Sequence, residues 1–155
     1  MKTMLVLSPH LDDAVLSCGG MMAEAAMQGE PVMVYNLFCK PYSGPLSPVA
    51  QELHTRWGNP QDITALRIDE DHKALNHLGA GSMLGDQCDL IYRQDLNGKW
   101  LYPSMEDIMG ERKQADDGLV DHYYGKVRAL YRSEEVKIWV PLGIGGHVDH
   151  LITFD

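Results

Sequence analysis

Two short stretches of this sequence carry side chains that could do chemistry together. Ser8-Pro9-His10-Leu11-Asp12-Asp13 follows an apolar run, Met4-Leu5-Val6-Leu7. Gly146-His147-Val148-Asp149-His150 follows a second run, Val136-Lys137-Ile138-Trp139-Val140, by way of Pro141-Leu142-Gly143. His10 and Asp13 stand three apart, and so do His147 and His150, with Asp149 between them. Such spacing lets two side chains converge on one ion from a tight turn or a first helical turn. Zinc in hydrolases is commonly held by three His or carboxylate ligands with water in the fourth position, and it lowers the pKa of that water to roughly 7. A nearby carboxylate then accepts the proton as the water attacks. Each feature also has a plain structural explanation. A lone loop His is usually polar surface, and Asp12-Asp13 ahead of an apolar helix is a suitable N-terminal cap. The recurrence of such groups after two apolar strands favours one metal site built from two loops.

Positioning those loops requires both strands in one sheet. Residues 4–8 form a short apolar run ending near a Pro, as a buried parallel strand does. Residues 14–28 are rich in helix formers and stop at Gly29, and residues 31–38 give a second strand, so the opening is one βαβ unit. Gly19-Gly20 inside that helix points to close backbone packing or approach of a ligand. Residues 39–59, with Pro41, Gly44, Pro45, Pro48 and Gly58, are predicted as a long loop. A helix is expected over 62–78 with Gly79 beyond its end, and Arg67 and Glu70 are spaced to pair on it. A short third strand is expected within 82–92, an aperiodic excursion over 95–109, a helix over 118–131 and a strand over 136–140. Alternating strands and helices indicate an α/β, doubly wound, mostly parallel sheet in a single domain. Ligands of such sheets bind at the carboxyl edge, where both loops would emerge.

The 155 residues suit one domain, and the net charge of −9 argues against a nucleic-acid or anionic-membrane surface. Cys18, Cys39 and Cys88 are widely spaced, with no Cys-x-x-Cys pair, so neither a disulfide framework nor a thiolate zinc site is indicated. With no membrane-length apolar window and no signal-like N-terminus, a cytoplasmic protein is expected. The chain stops five residues past His150, and it is expected to be part of a longer protein.

The first motif, with Cys18-Gly19-Gly20 after it, resembles the Pro-His-Pro-Asp-Asp…Gly-Gly signature of the LmbE-like, or N-acetylglucosaminyl-phosphatidylinositol de-N-acetylase, family. Gly146-His147-Val148-Asp149-His150 resembles that family's Gly-His-x-Asp-His motif. Leu66-Arg67 with Glu70, Leu78-Gly79, Asp89-Leu90-Ile91-Tyr92-Arg93 and Pro141-Leu142-Gly143 extend the likeness over nearly the whole chain. Leu11 departs from the signature's second Pro, at a position that is neither ligand nor base.

The resemblance implies a Rossmann-like, three-layer fold and zinc-dependent removal of an acetyl group from an amino-sugar conjugate. By position it implies His10, Asp13 and His150 as zinc ligands, and Asp12 as general base. His147 would assist the oxyanion and the leaving amine, with Asp149 orienting its imidazole. Arg67 and Asp89 would contact substrate hydroxyls. Other amides, and iron, nickel or cobalt in place of zinc, fit the same residue types. A non-catalytic sugar- or nucleotide-binding module is the competing class. Against it, no Gly-x-Gly-x-x-Gly and no Walker Gly-Lys-Ser/Thr occurs, and a module without catalysis has little reason to keep base, ligands and second His together.

Overall fold

Side chains alternate along Met4-Leu5-Val6-Leu7, so that Met4 and Val6 join one apolar cluster while Leu5 and Leu7 join another on the opposite face. A strand covered on both faces has no polar side, which is why this run reads as continuously apolar. The computed structural model describes residues 2–59, 61–131 and 135–155. In it β1 (Thr3–Ser8), β2 (Val32–Asn36), β3 (Gly81–Leu84) and β4 (Val136–Trp139) make one sheet of order β3-β2-β1-β4, every neighbouring pair parallel.

The helices are α1 (Asp13–Met27), α2 (Pro48–Arg56), α3 (Ile63–His77), α4 (Met105–Ile108), α5 (Leu119–Leu130) and α6 (Val148–Phe154). Met22 of α1 and Leu75 of α3 pack with Val6 and Val34 on one face. Tyr123 and Val127 of α5, Val148 and Ile152 of α6, and Val49 and Ala50 of α2 pack with Leu5 and Tyr35 on the other. The result is the three-layer, single-domain α/β fold expected from the alternation of elements. The strands step outward from β1 to β3, and the chain then returns to lay β4 along the free side of β1. That reversal sets the carboxyl ends of β1 and β4 side by side, the arrangement that opens a ligand crevice in such sheets.

Glycines mark the ends of α1 and α3 through positive φ, 79° at Gly29 and 73° at Gly79. At Gly19 a Cβ would lie 3.4 Å from Leu78 Cδ1, an ordinary contact, and Gly20 has open space around it, so packing demands glycine at neither position. Cys18, with φ −139°, kinks α1 beside them.

The structure corrects one sequence expectation and refines two others. The segment 39–59 contains α2, which starts at Ser47-Pro48: Ser47 Oγ accepts the Ala50 N–H at 3.1 Å and Pro48 takes the first turn, where its missing N–H costs nothing. The third strand ends at Leu84, and Leu90–Tyr92 is a 3₁₀ turn capped by Asp89. The excursion 95–109 ends in the one-turn α4, capped by Ser104. Ser47 is fully buried and also donates to the Ile91 carbonyl at 2.8 Å. Ser47→Ala is therefore expected to cost about 1–2 kcal/mol, read as a lower urea midpoint at unchanged m. An unchanged midpoint would remove the cap from the account of α2. Among the described residues, no helix is long and apolar enough to cross a membrane.

Candidate metal and active site

Where β1 ends, Ser8 shapes the loop that follows. Its buried hydroxyl donates to the His10 carbonyl at 2.6 Å and accepts the Ala14 N–H at 3.1 Å, tying loop to helix. Asp12 then takes φ 108°, a left-handed value that costs a non-glycine residue energy and that clusters at functional sites. This turn sends Asp13 back toward His10. The Asp13 carboxylate accepts the His10 backbone N–H at 2.9 Å, and the same Oδ2 lies 3.2 Å from His10 Nδ1.

His147 occupies the N-cap of α6, so that Asp149 and His150 lie in its first turn. His150 Nε2 comes within 3.3 Å of Asp13 Oδ2. One ligand atom each from His10, Asp13 and His150 therefore falls within 4.8 Å of the others. Two imidazoles and a carboxylate make a donor set for a divalent transition metal. The ring of His147 stands against both partners, its centroid 4.9 Å from that of His10 and 4.9 Å from that of His150.

Burial opposes protonation of His10, but the carboxylates of Asp89, Asp13 and Asp149 outweigh it and raise the imidazole to about 10. Burial likewise opposes ionisation of Asp13, yet hydrogen bonds from His10 and His150 hold its carboxyl well below the usual range. His147 is pushed down to about 4 by burial and by the charge of His10. Asp12 is raised by burial against the pull of the Arg67 guanidinium.

Arg67 does not pair with Glu70 along α3. Its Nη2 donates to the Leu11 carbonyl at 2.8 Å and lies 3.5 Å from Asp12 Oδ1, so it braces the loop of the first motif. It also lies over the Trp57 ring at 5.2 Å, and with Trp57, Asp89, Lys40 and Tyr92 it lines a cavity beside His10. Asp89 Oδ2 is 3.7 Å from His10 Nε2.

Asp149 differs from expectation in its partner. Its buried carboxylate meets His10 Nε2 at 3.1 Å, the Leu90 N–H at 3.1 Å and Arg93 Nη2 at 2.6 Å. Toward His147 it offers only its backbone N–H, 3.3 Å from Nδ1. His10, Asp89 and Asp149 thus form a second acidic grouping that shares His10 with the first.

Sequence reasoning gave no role to Arg93. Its side chain, 10% exposed, reaches Asp116 Oδ2 through Nη1 at 2.8 Å, donates from Nε to the Cys88 carbonyl at 3.1 Å, and lies 4.5 Å over the Phe38 ring. The available signal was an Arg directly after three apolar residues, Leu90-Ile91-Tyr92, since a buried Arg requires carboxylates around it.

Known proteins share this architecture. A structure of a deacetylase–bog complex from the teicoplanin biosynthesis pathway matches with a TM-score of 0.86 and 36% identity, over 99% of this chain and 60% of that one. The zinc-inhibited form of teicoplanin deacetylase matches with a TM-score of 0.85 and 36% identity, over 99% of this chain and 61% of that one. The 2'-N-acetylparomamine deacetylase of Niallia circulans is 27% identical over 165 residues, which span 96% of this chain and 58% of the relative. The chain thus spans about three fifths of the length of these relatives. The model of the PIG-L family, described as GlcNAc-PI de-N-acetylase, matches residues 5–155, and the chain belongs to that family.

Proposed function

We propose that this chain hydrolyses the N-acetyl amide of an N-acetylglucosamine-type sugar or sugar conjugate, with zinc held by His10, Asp13 and His150. The observation that carries this reading is the convergence of those three side chains, two from the loop after β1 and one from α6, to within 4.8 Å of one another. The deacetylase relatives supply the reaction class. A bound divalent ion supplies a Lewis acid for the amide carbonyl and lowers the pKa of water.

The remaining work falls to the side chains. Asp12 accepts a proton from the attacking water as the water oxygen bonds to the carbonyl carbon. When the C–N bond breaks, the electron pair stays on nitrogen and Asp12 returns the proton there. Acetic acid, which ionises at neutral pH, and a free amine result.

His147 acts as a hydrogen-bond donor. Its Nδ1 accepts the Asp149 N–H, so the neutral ring carries its proton on Nε2. Burial disfavours the charged form of the ring, and the neutral ring presents that N–H to the developing oxyanion. Asp149 serves the site by orienting His10. Arg67 and Asp89, which line the small neighbouring cavity, bind substrate hydroxyls.

The test is acetate release from N-acetylglucosamine conjugates before chelation, after chelation and after zinc is restored. Lewis-acid help of several kcal/mol corresponds to a loss on the order of 10²–10⁴-fold on chelation, reversed by zinc. Acetate release indifferent to chelation would overturn the metal's role. No release with zinc, cobalt, nickel or iron would overturn the deacetylase reading.

A further inference from the structure

Arg93 touches none of the groups given a part in bond making or breaking, yet its geometry leads directly to a metal ligand. The guanidinium is held from every side: by Asp149 and Asp116 at its two terminal nitrogens, by the Cys88 carbonyl at Nε and by the Phe38 ring across its face. Asp116 is itself fixed by the Tyr102 hydroxyl at 2.8 Å. A planar fork with this many partners has one orientation, and a flexible ammonium could not reproduce it.

That orientation passes to Asp149, whose two oxygens have separate partners. Oδ1 receives Arg93, and Oδ2 receives the Leu90 N–H and meets His10 Nε2. With Nε2 engaged on the protein side, Nδ1 is the nitrogen left to face Asp13. A carboxylate behind a metal-binding imidazole sets both its tautomer and its ring plane. Stability alone gives little reason for the arrangement, since apolar residues of similar volume commonly do as well as a buried ion pair.

We propose that Arg93 is a positioning residue of the metal centre: by fixing Asp149 it holds the His10 ring with Nε2 inward and Nδ1 toward the ion. This rests on the reading of His10 as a metal ligand.

The test measures the zinc Kd, by competition with a chromophoric chelator, and the visible absorption of the Co²⁺-substituted protein. Arg93→Lys keeps the charge and removes the fork, and Arg93→Gln keeps one neutral donor group, its amide NH₂. Either variant, folded by circular dichroism, is expected to bind zinc about 10–100-fold more weakly and to show an altered Co²⁺ spectrum. Asp116→Asn removes charge only from the far side of Arg93 and is expected to stay within about threefold of wild type, because the effect travels through Asp149. Three results would overturn the proposal: wild-type Kd and spectrum in the Arg93 variants, a loss in Asp116→Asn equal to that in Arg93→Lys, or failure of both Arg93 variants to fold. His10→Ala separates the two levels. If it binds zinc like wild type, the ligand assignment itself is wrong. If it loses zinc while the Arg93 variants keep it, only the positioning role falls.

Discussion

Asp12→Asn is expected to lower kcat for acetate release by about 10²–10⁴-fold while the metal stays bound at the wild-type ratio. Asn keeps the shape of the side chain and tolerates the positive φ of this position better than Ala does, so the loop that presents Asp13 is retained. What disappears is a carboxylate able to accept the proton of water. His10→Ala is expected to differ in kind, losing the ion together with turnover. Elemental analysis of the purified proteins alongside single-turnover acetate release tells the two apart. Equal metal loss in both variants would show that the turn at Asp12, rather than its proton chemistry, is what the site needs.

The largest effect on stability is expected from Arg93→Met. Removing the guanidinium leaves the buried carboxylates of Asp149 and Asp116 without their cation, and breaking a buried pair in this way costs about 3–5 kcal/mol. For a chain of this size that lowers the thermal midpoint by about 6–20 °C. A loss under about 1 kcal/mol would mean that both carboxylates find water or other donors once Arg93 is gone.

Much of the scaffold is legible in the sequence because its signals are local. Apolar runs bounded by Gly and Pro give β1, β2 and β4, and the helix-forming stretches before Gly29 and Gly79 give α1 and α3. The density of Pro and Gly around α2 hid its start, although Ser47-Pro48 is a helix-opening pair; turn signals upstream outweighed it. The partners of charged groups are a different matter. Arg67 and Glu70 are close along a helix, and His147 and Asp149 are close along the chain, so sequence proximity suggested both pairings. In the fold Arg67 turns to the loop of Asp12, and the first turn of α6 directs the Asp149 carboxylate inward to His10 and Arg93. The meeting of the His10–Asp13 loop with His147–His150 was foreseeable because two strands carry it, while the particular triad of His10, Asp13 and His150 followed from the family resemblance. The link from Arg93 was not foreseeable, since it depends on where a 3₁₀ turn sets a side chain against elements distant in sequence.

The contact between His10 and Asp149 closes a separation of 139 residues. During synthesis His10 and Asp13 leave the ribosome long before His150 is made. A nascent chain therefore carries two of the three side chains proposed to bind the ion before the third exists. The three side chains gather only when β4 has joined β1 and α6 has settled against α5, so under the proposed ligand assignment the ion binds after those elements have assembled.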